Sequence, residues 1–336
     1  MTTLRRYLFY RLKNSVLKTL IFTSLSILIT QIVLRECIDS NKVENRDSGL
    51  YMFAVILGIV ASVIPFLELA GFKNRRNLDT LFFFPIKREK MAIAVYLSGL
   101  LQVITIYTVT YAVGFIFLSV KTDCFALVYM IPYYFLSLLL GAVIYSVFMF
   151  LFSEANTVAD GVLFCLLWIF LMFVVSNTVI MECVDSEFLS TAYDLSAWGI
   201  IYAPINNLTV LFRNLIEINR SSSWLDRSVD AVKEYMYMFF VWGAIGIAAA
   251  VGYVYRFAKK GAEKAGEISE SWFGYRILIP LYGYCMIYSS ATTVFSWLVF
   301  ALMIMGYVVY RRSFRLKKSD ICGIVAGMIP FILALR

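Results

Sequence analysis

Two carboxylates stand inside otherwise uncharged apolar runs of this chain. They are Glu68, near the end of the second run and three residues after Pro65, and Asp160, at the start of the fifth. Acids in such settings are functional by default, because a charge in hydrocarbon is costly to keep. Both also lie within a turn or two of the end of their run, where they can snorkel to the boundary or pair with Arg75 or Arg76. A structural role therefore competes with proton or cargo handling. Little else has the makings of a reaction centre. The chain has no histidine, which removes the commonest metal ligand and the side chain most used for proton transfer near neutral pH. The six cysteines, at 37, 124, 165, 183, 285 and 322, form no C-x-x-C pair and read as small apolar fillers. No G-x-x-x-x-G-K-[ST] loop occurs, so no phosphate cradle of that kind is encoded. The expectation is a chain that is not an enzyme, with no catalytic, cofactor-binding or metal-ligating residues.

The elements around these acids follow from composition. Of 336 residues, 61% are hydrophobic and 15% charged, where a soluble domain has roughly 45–50% and about 25%. The apolar residues come as unbroken runs near the length that crosses a bilayer, not as amphipathic stripes. Hydrocarbon offers no hydrogen bonds, so the backbone must pair internally, as helices or as a closed barrel. The runs do not alternate, which selects helices: an all-α, polytopic bundle. The net charge of +8 fits basic residues gathered beside an anionic leaflet better than it fits nucleic acid.

Spans are read at about 16–34, 50–72, 91–120, 126–152, 158–181 and 235–255. A basic segment, 1–15, with Leu4, Leu8 and Leu12 at i, i+4 spacing, is read as an interfacial helix leading into the first. No small-residue cleavage pattern follows that run. With the N-terminus in the cytoplasm, the inner segments carry five (1–18), six (73–90), five (256–276) and five (311–318) Lys and Arg, against eight outside. That asymmetry favours this orientation and a multi-pass protein of the plasma membrane. The inner loop Ser153–Asp160 contributes no basic residue. The outer segment, 182–234, carries Leu208, Leu211, Phe212, Leu215 and Ile216 on one helical face, after a Pro204–Asn207 turn.

Past a cytoplasmic linker, 256–276, the region 277–336 adds to the six-span core of 16–255. Ile277–Tyr310 holds 34 residues without a charge between two basic flanks, which requires an even number of crossings. It reads as two short spans turning near Ser289-Ser290, or as a re-entrant pair. The last run, Ile321–Leu335, reaches only about 22 Å as a helix; it is either a span cut short in a fragment of a longer protein or a re-entrant helix. Apart from Glu68 and Asp160 the span interiors are uncharged. That argues against an ion-coupled carrier and a channel with charged rings. Aromatic residues, 17% of the chain, suit interfacial belts and helix packing, and also an amphipathic, lipid-like or peptide cargo. Ala244, Ala248 and Gly252 form a small-residue stripe on the sixth span, suited to helix contact within the chain or across a dimer.

The segment Lys73–Lys90 interleaves charge with an apolar block at Leu81–Phe84, which a solvated loop does not need. It is built either to dock on a partner or to hold lipid head groups. Its "RRNLDTLFFFPIKREKM" resembles the "DxxxSLPxxRxKL" stretch after the second span of ABC-2-type permeases, exporter subunits of bacteria. "YRFAKKGAEKAGE", Tyr255–Glu267, is similar to the "Y-x-x-R-x-x-E-x-A-G" stretch after the sixth span in Gram-positive members. Phe83-Phe84-Pro85 stands where Ser-Leu-Pro is more usual, so the contact made there differs.

The resemblance implies a type V exporter-like core in which this chain binds no nucleotide. ATP and Mg²⁺ would belong to a separate ABC ATPase subunit, and a second permease, identical or homologous, would complete the complex within membrane lipid. The loop 73–90 would be the coupling element. Arg75, Arg76, Asp79, Lys87, Arg88 and Glu89 would make polar contacts with the ATPase, and Phe82, Phe83, Phe84 and Pro85 would form the packed part. A membrane sensor or scaffold, binding a partner through the same loop without moving cargo, is the alternative; an enzyme acting on lipid-linked substrates would need clustered reactive groups beyond Glu68 and Asp160.

Overall fold

The computed structural model describes residues 3–39, 45–74, 86–121, 127–183, 225–260, 266–267, 269, 271–289, 293–311 and 313–334. The described residues are helical, with no strand among them. The helices are α1 (Thr3–Asp39), α2 (Asn45–Leu69), α3 (Arg88–Lys121), α4 (Leu127–Glu154), α5 (Val158–Cys183), α6 (Leu225–Lys259), α7 (Tyr275–Ser289), α8 (Thr293–Arg311), α9 (Lys318–Gly327) and α10 (Ile329–Ala334), with a 3-10 turn at Ala70–Lys73. Among the described residues, five stretches are long and apolar enough to cross a membrane: Leu4–Glu36, Met52–Lys73, Arg88–Val120, Met130–Glu154 and Phe239–Lys259. Val158–Leu171 and Phe295–Arg311 are apolar but shorter. This is a helical membrane bundle.

The boundary read at residue 15 is not a break in the backbone. α1 runs without interruption through the basic segment and the first span, and the reason is local. No glycine or proline falls between Thr3 and Asp39. The hydroxyls of Thr19, Thr23 and Thr30 donate back to the carbonyls of Ser15, Thr19 and Ser26, respectively (2.7–3.0 Å), so polar side chains are satisfied without leaving the helix. α6 begins ten residues before the expected 235. Leu208, Leu211, Phe212, Leu215 and Ile216 lie outside the described residues.

The chain forms two compact units. The first draws on Met1–Leu69, Phe83–Phe150 and Ile201–Lys259. In it α1 packs along α3 and α2, α2 packs on α3, and α3 packs on α6. Its interior is aromatic: Phe53, Tyr107, Tyr133, Tyr145 and Tyr253 are fully buried. Several tyrosine hydroxyls bond to neighbouring helices. Tyr107 bonds to Ser137 Oγ at 2.8 Å, Tyr111 donates to the Met130 carbonyl at 2.9 Å, and Tyr145 donates to the Tyr96 carbonyl at 2.9 Å. Much of the aromatic content thus joins helix to helix, each ring burying a large apolar area with a polar tip that finds a partner. Gly99 is a required small residue, since a Cβ there would collide with the Tyr145 hydroxyl and crowd Glu68. On α6, Gly252 faces Phe150 of α4, whereas Ala244 and Ala248 are exposed.

The second unit draws on Ala70–Phe82, Leu151–Ile200 and Lys260–Arg336. Here α7 is the hub, packing on α5, α8, α9 and α10. Pro280 lies inside α7 and, lacking an N–H, leaves the Arg276 carbonyl without its helical donor. The buried Tyr307 hydroxyl of α8 donates to that carbonyl at 3.1 Å, the internal repair an apolar environment demands. α7 ends at Ser289 and α8 begins at Thr293, bracketing the turn read near Ser289-Ser290. The last apolar run is two short helices, α9 and α10, not one. α9 is tied down by Asp320, fully buried, which accepts from Arg311 Nε at 2.5 Å and Nη2 at 2.7 Å, and from the Lys317 N–H at 3.0 Å.

Candidate functional site

A helix C-terminus leaves four carbonyls without helical donors and carries partial negative charge. At the end of α4 those carbonyls converge on two lysines from distant parts of the chain. Lys73, the last residue of the 3-10 turn after α2, donates to the carbonyls of Phe152 at 2.6 Å and Ala155 at 2.5 Å. Its ammonium also lies 4.5 Å from the centre of the Phe152 ring. Lys260, one residue past α6, donates to the carbonyls of Ser153 (2.8 Å), Glu154 (3.1 Å) and Ala155 (2.6 Å). The α4–α5 corner, which has no basic residue of its own, obtains its positive charge from these two neighbours.

The linker after α6 is stitched to the same corner. Gly266 has a φ of 79°, a left-handed conformation that glycine adopts at little cost, and its N–H donates to the Asn156 carbonyl at 3.0 Å. The Ser269 hydroxyl accepts from the Asn156 N–H at 2.8 Å and donates to Asp160 Oδ2 at 2.7 Å. Tyr275 OH donates to Asp160 Oδ1 at 2.9 Å. Ser271 Oγ bonds to Glu154 Oε2. Thr157 caps α5, accepting from the Asp160 N–H at 3.1 Å, which sets Asp160 in the first helical turn where a negative charge is favoured. Asp160 is therefore held by hydroxyls and a helix start, in a structural setting.

Glu68 belongs to a different cluster, in the first unit. Arg11 of α1 donates from Nη2 to Glu68 Oε2 at 2.6 Å and to the Glu68 carbonyl at 3.3 Å. Ser98 Oγ donates to Oε2 at 3.3 Å and Gln102 Nε2 to Oε1 at 3.0 Å, both from α3. One carboxylate thus ties three helices together in a buried polar knot. It takes a cation from the N-terminal basic segment, a partner 57 residues away that spacing along the chain does not signal; Arg75 and Arg76 lie outside the described residues. The arrangement has the form of an ionic latch; its side chains are 14% and 3% exposed.

Of the expected coupling residues, Arg75, Arg76, Asp79, Phe82, Phe83, Phe84 and Pro85 lie outside the described residues. Lys87, Arg88 and Glu89 lie at the start of α3 with exposed side chains. Sequence reasoning missed Lys73, Lys260, Gly266 and Ser269 as a group. The signal available was the charge-poor corner itself, whose helix end needs cations from elsewhere. No group of three or more metal-ligating acids or cysteines occurs among the described residues. Comparison with family models, curated proteins and solved structures gives no match.

Proposed function

We propose that the chain is the membrane-spanning permease subunit of an ATP-binding-cassette exporter of the ABC-2 type. It would lie in the plasma membrane with its N-terminus in the cytoplasm and move an amphipathic, lipid-like or peptide cargo. ATP and Mg²⁺ belong to a separate ATPase chain, and a second permease completes the pore. The observation that carries this reading is the convergence at the α4–α5 corner. Lys73 opens the 73–90 loop, and Lys260 and Gly266 belong to the 255–267 stretch. Lys73, just ahead of the first resembling stretch, and Lys260, inside the second, thus meet on the Ala155 carbonyl, with Gly266 on the neighbouring Asn156 carbonyl. A force applied to the loop by ATPases closing on nucleotide would be delivered through Lys73 to the ends of α4 and α5, and close-packed helices transmit such a displacement instead of absorbing it.

The test is purification of the full chain in mild detergent with identification of co-purifying chains, then ATPase and transport assays on the reconstituted complex. A partner with a Walker A lysine is expected. The Asp79→Asn, Arg88→Gln double variant should keep the complex folded and hydrolysing ATP while transport falls at least tenfold. Partner binding without nucleotide dependence and without transport would support a sensor or scaffold instead. Unchanged coupling in the double variant would remove the loop from the mechanism.

A further inference from the structure

A groove of about 510 Å³ runs between the first turns of α3 and the last turns of α6, within the range of small-molecule sites, roughly 300–1,000 Å³. Its walls are apolar: Ile93, Tyr96 and Leu97 on one side, Val251, Val254 and Ala258 on the other. Both helices carry membrane-length apolar stretches, so the groove faces the surface that acyl chains cover. At one end the lining becomes polar, with Glu89 and Lys259. Lys259 sits 4.1 Å from the centre of the Tyr255 ring, which props its ammonium at the mouth. Lys87, Arg88, Lys90 and Arg256, neighbours in sequence of Glu89 and Lys259 at the same helix ends, are also exposed, giving these ends five cations against one carboxylate, and the α3 N-terminus adds the positive end of a helix dipole.

We propose that this groove binds one anionic phospholipid from the leaflet at which α3 begins, with an acyl chain along the apolar walls and the head-group phosphate among Lys90, Lys259 and the α3 N-terminus. The charge pattern decides between occupants. A second copy of this chain would bring an equal cluster of cations to the same depth, where like charges repel. A soluble partner gives no use to an apolar trough between two spans. Anionic head groups attract basic residues near the membrane surface. The proposal rests on the membrane character of the chain and not on any ATPase.

The experiment is native mass spectrometry of the full chain in detergent, titrated with phosphatidylglycerol or with phosphatidylcholine carrying the same acyl chains. One phosphatidylglycerol per chain should be retained in clear preference to phosphatidylcholine. Lys90→Gln with Lys259→Gln, both on exposed side chains, should lower that preference by about fivefold per lysine. Ala258→Phe, or Val251→Trp at the open side, should displace both lipids. Equal retention of the two lipids, an unchanged preference in the lysine double variant, or retention undiminished in a monodisperse groove-filled variant would overturn the assignment. So would a dimer formed without lipid and abolished by filling the groove.

Discussion

Replacing Arg11 by methionine removes the cation from Glu68 while leaving the rest of α1 able to pack. Glu68 keeps Ser98 and Gln102, but its side chain is only 3% exposed. Breaking one side of a buried pair costs about 3–5 kcal/mol, and the low exposure of Glu68 puts this variant in that range. Glu68→Leu strands Arg11 instead, and at 14% exposure the guanidinium can relax toward the boundary, so about 2–3 kcal/mol is expected. The double variant Arg11→Met, Glu68→Leu should recover most of the loss, since apolar replacement of a whole buried pair is often neutral. Reversible unfolding by sodium dodecyl sulfate in mixed micelles, followed by far-ultraviolet circular dichroism, measures all three. A coupling energy of about 2–4 kcal/mol follows. Single variants within about 1 kcal/mol of the parent, or a double variant equal to the sum of the singles, would refute the latch.

Three other expectations can be read in the same titration. Lys73→Met and Lys260→Met should each cost about 1–2 kcal/mol through lost capping of the α4 C-terminus, and together less than their sum, because both bond to the Ala155 carbonyl and repel one another. Tyr307→Phe should cost about 1–3 kcal/mol by orphaning the Arg276 carbonyl that Pro280 leaves open; no loss would mean that carbonyl finds another donor. The Arg311 guanidinium holds the Asp320 carboxyl below its usual range. A depressed folded value means the stabilisation is complete above about pH 4, the ordinary aspartate value, and is lost as pH falls toward the lower folded one. Stability measured from pH 7 to pH 3 should decline at the acid end in the parent, and the part of that decline due to this group should vanish in Asp320→Asn.

Helix formation and membrane residence were legible along the chain because both are local. An unbroken apolar run needs no partner to reveal that it seeks hydrocarbon, and the absence of glycine and proline from 3–39 is enough for a continuous α1. The Ser153–Asp160 loop was noticed only as an anomaly, a segment expected in the cytoplasm yet without basic residues.

The polar pairings needed three dimensions. Glu68 pairs with Arg11 because α1 runs beside α2 and α3 and lays its basic first turns against the C-terminal end of α2, whereas Arg75 and Arg76, its neighbours in sequence, lie outside the described residues. Arg311 looked like one more flanking charge until α9 folded back to present Asp320. The lysines that cap α4 lie 79 to 107 residues from the carbonyls they hold. An ion or a carbonyl in an apolar surround takes whichever partner the packing brings within about 3 Å, and chain spacing carries no record of that distance. Run length and composition speak for the solvent a helix prefers; only the crossing of helices assigns one charge to another.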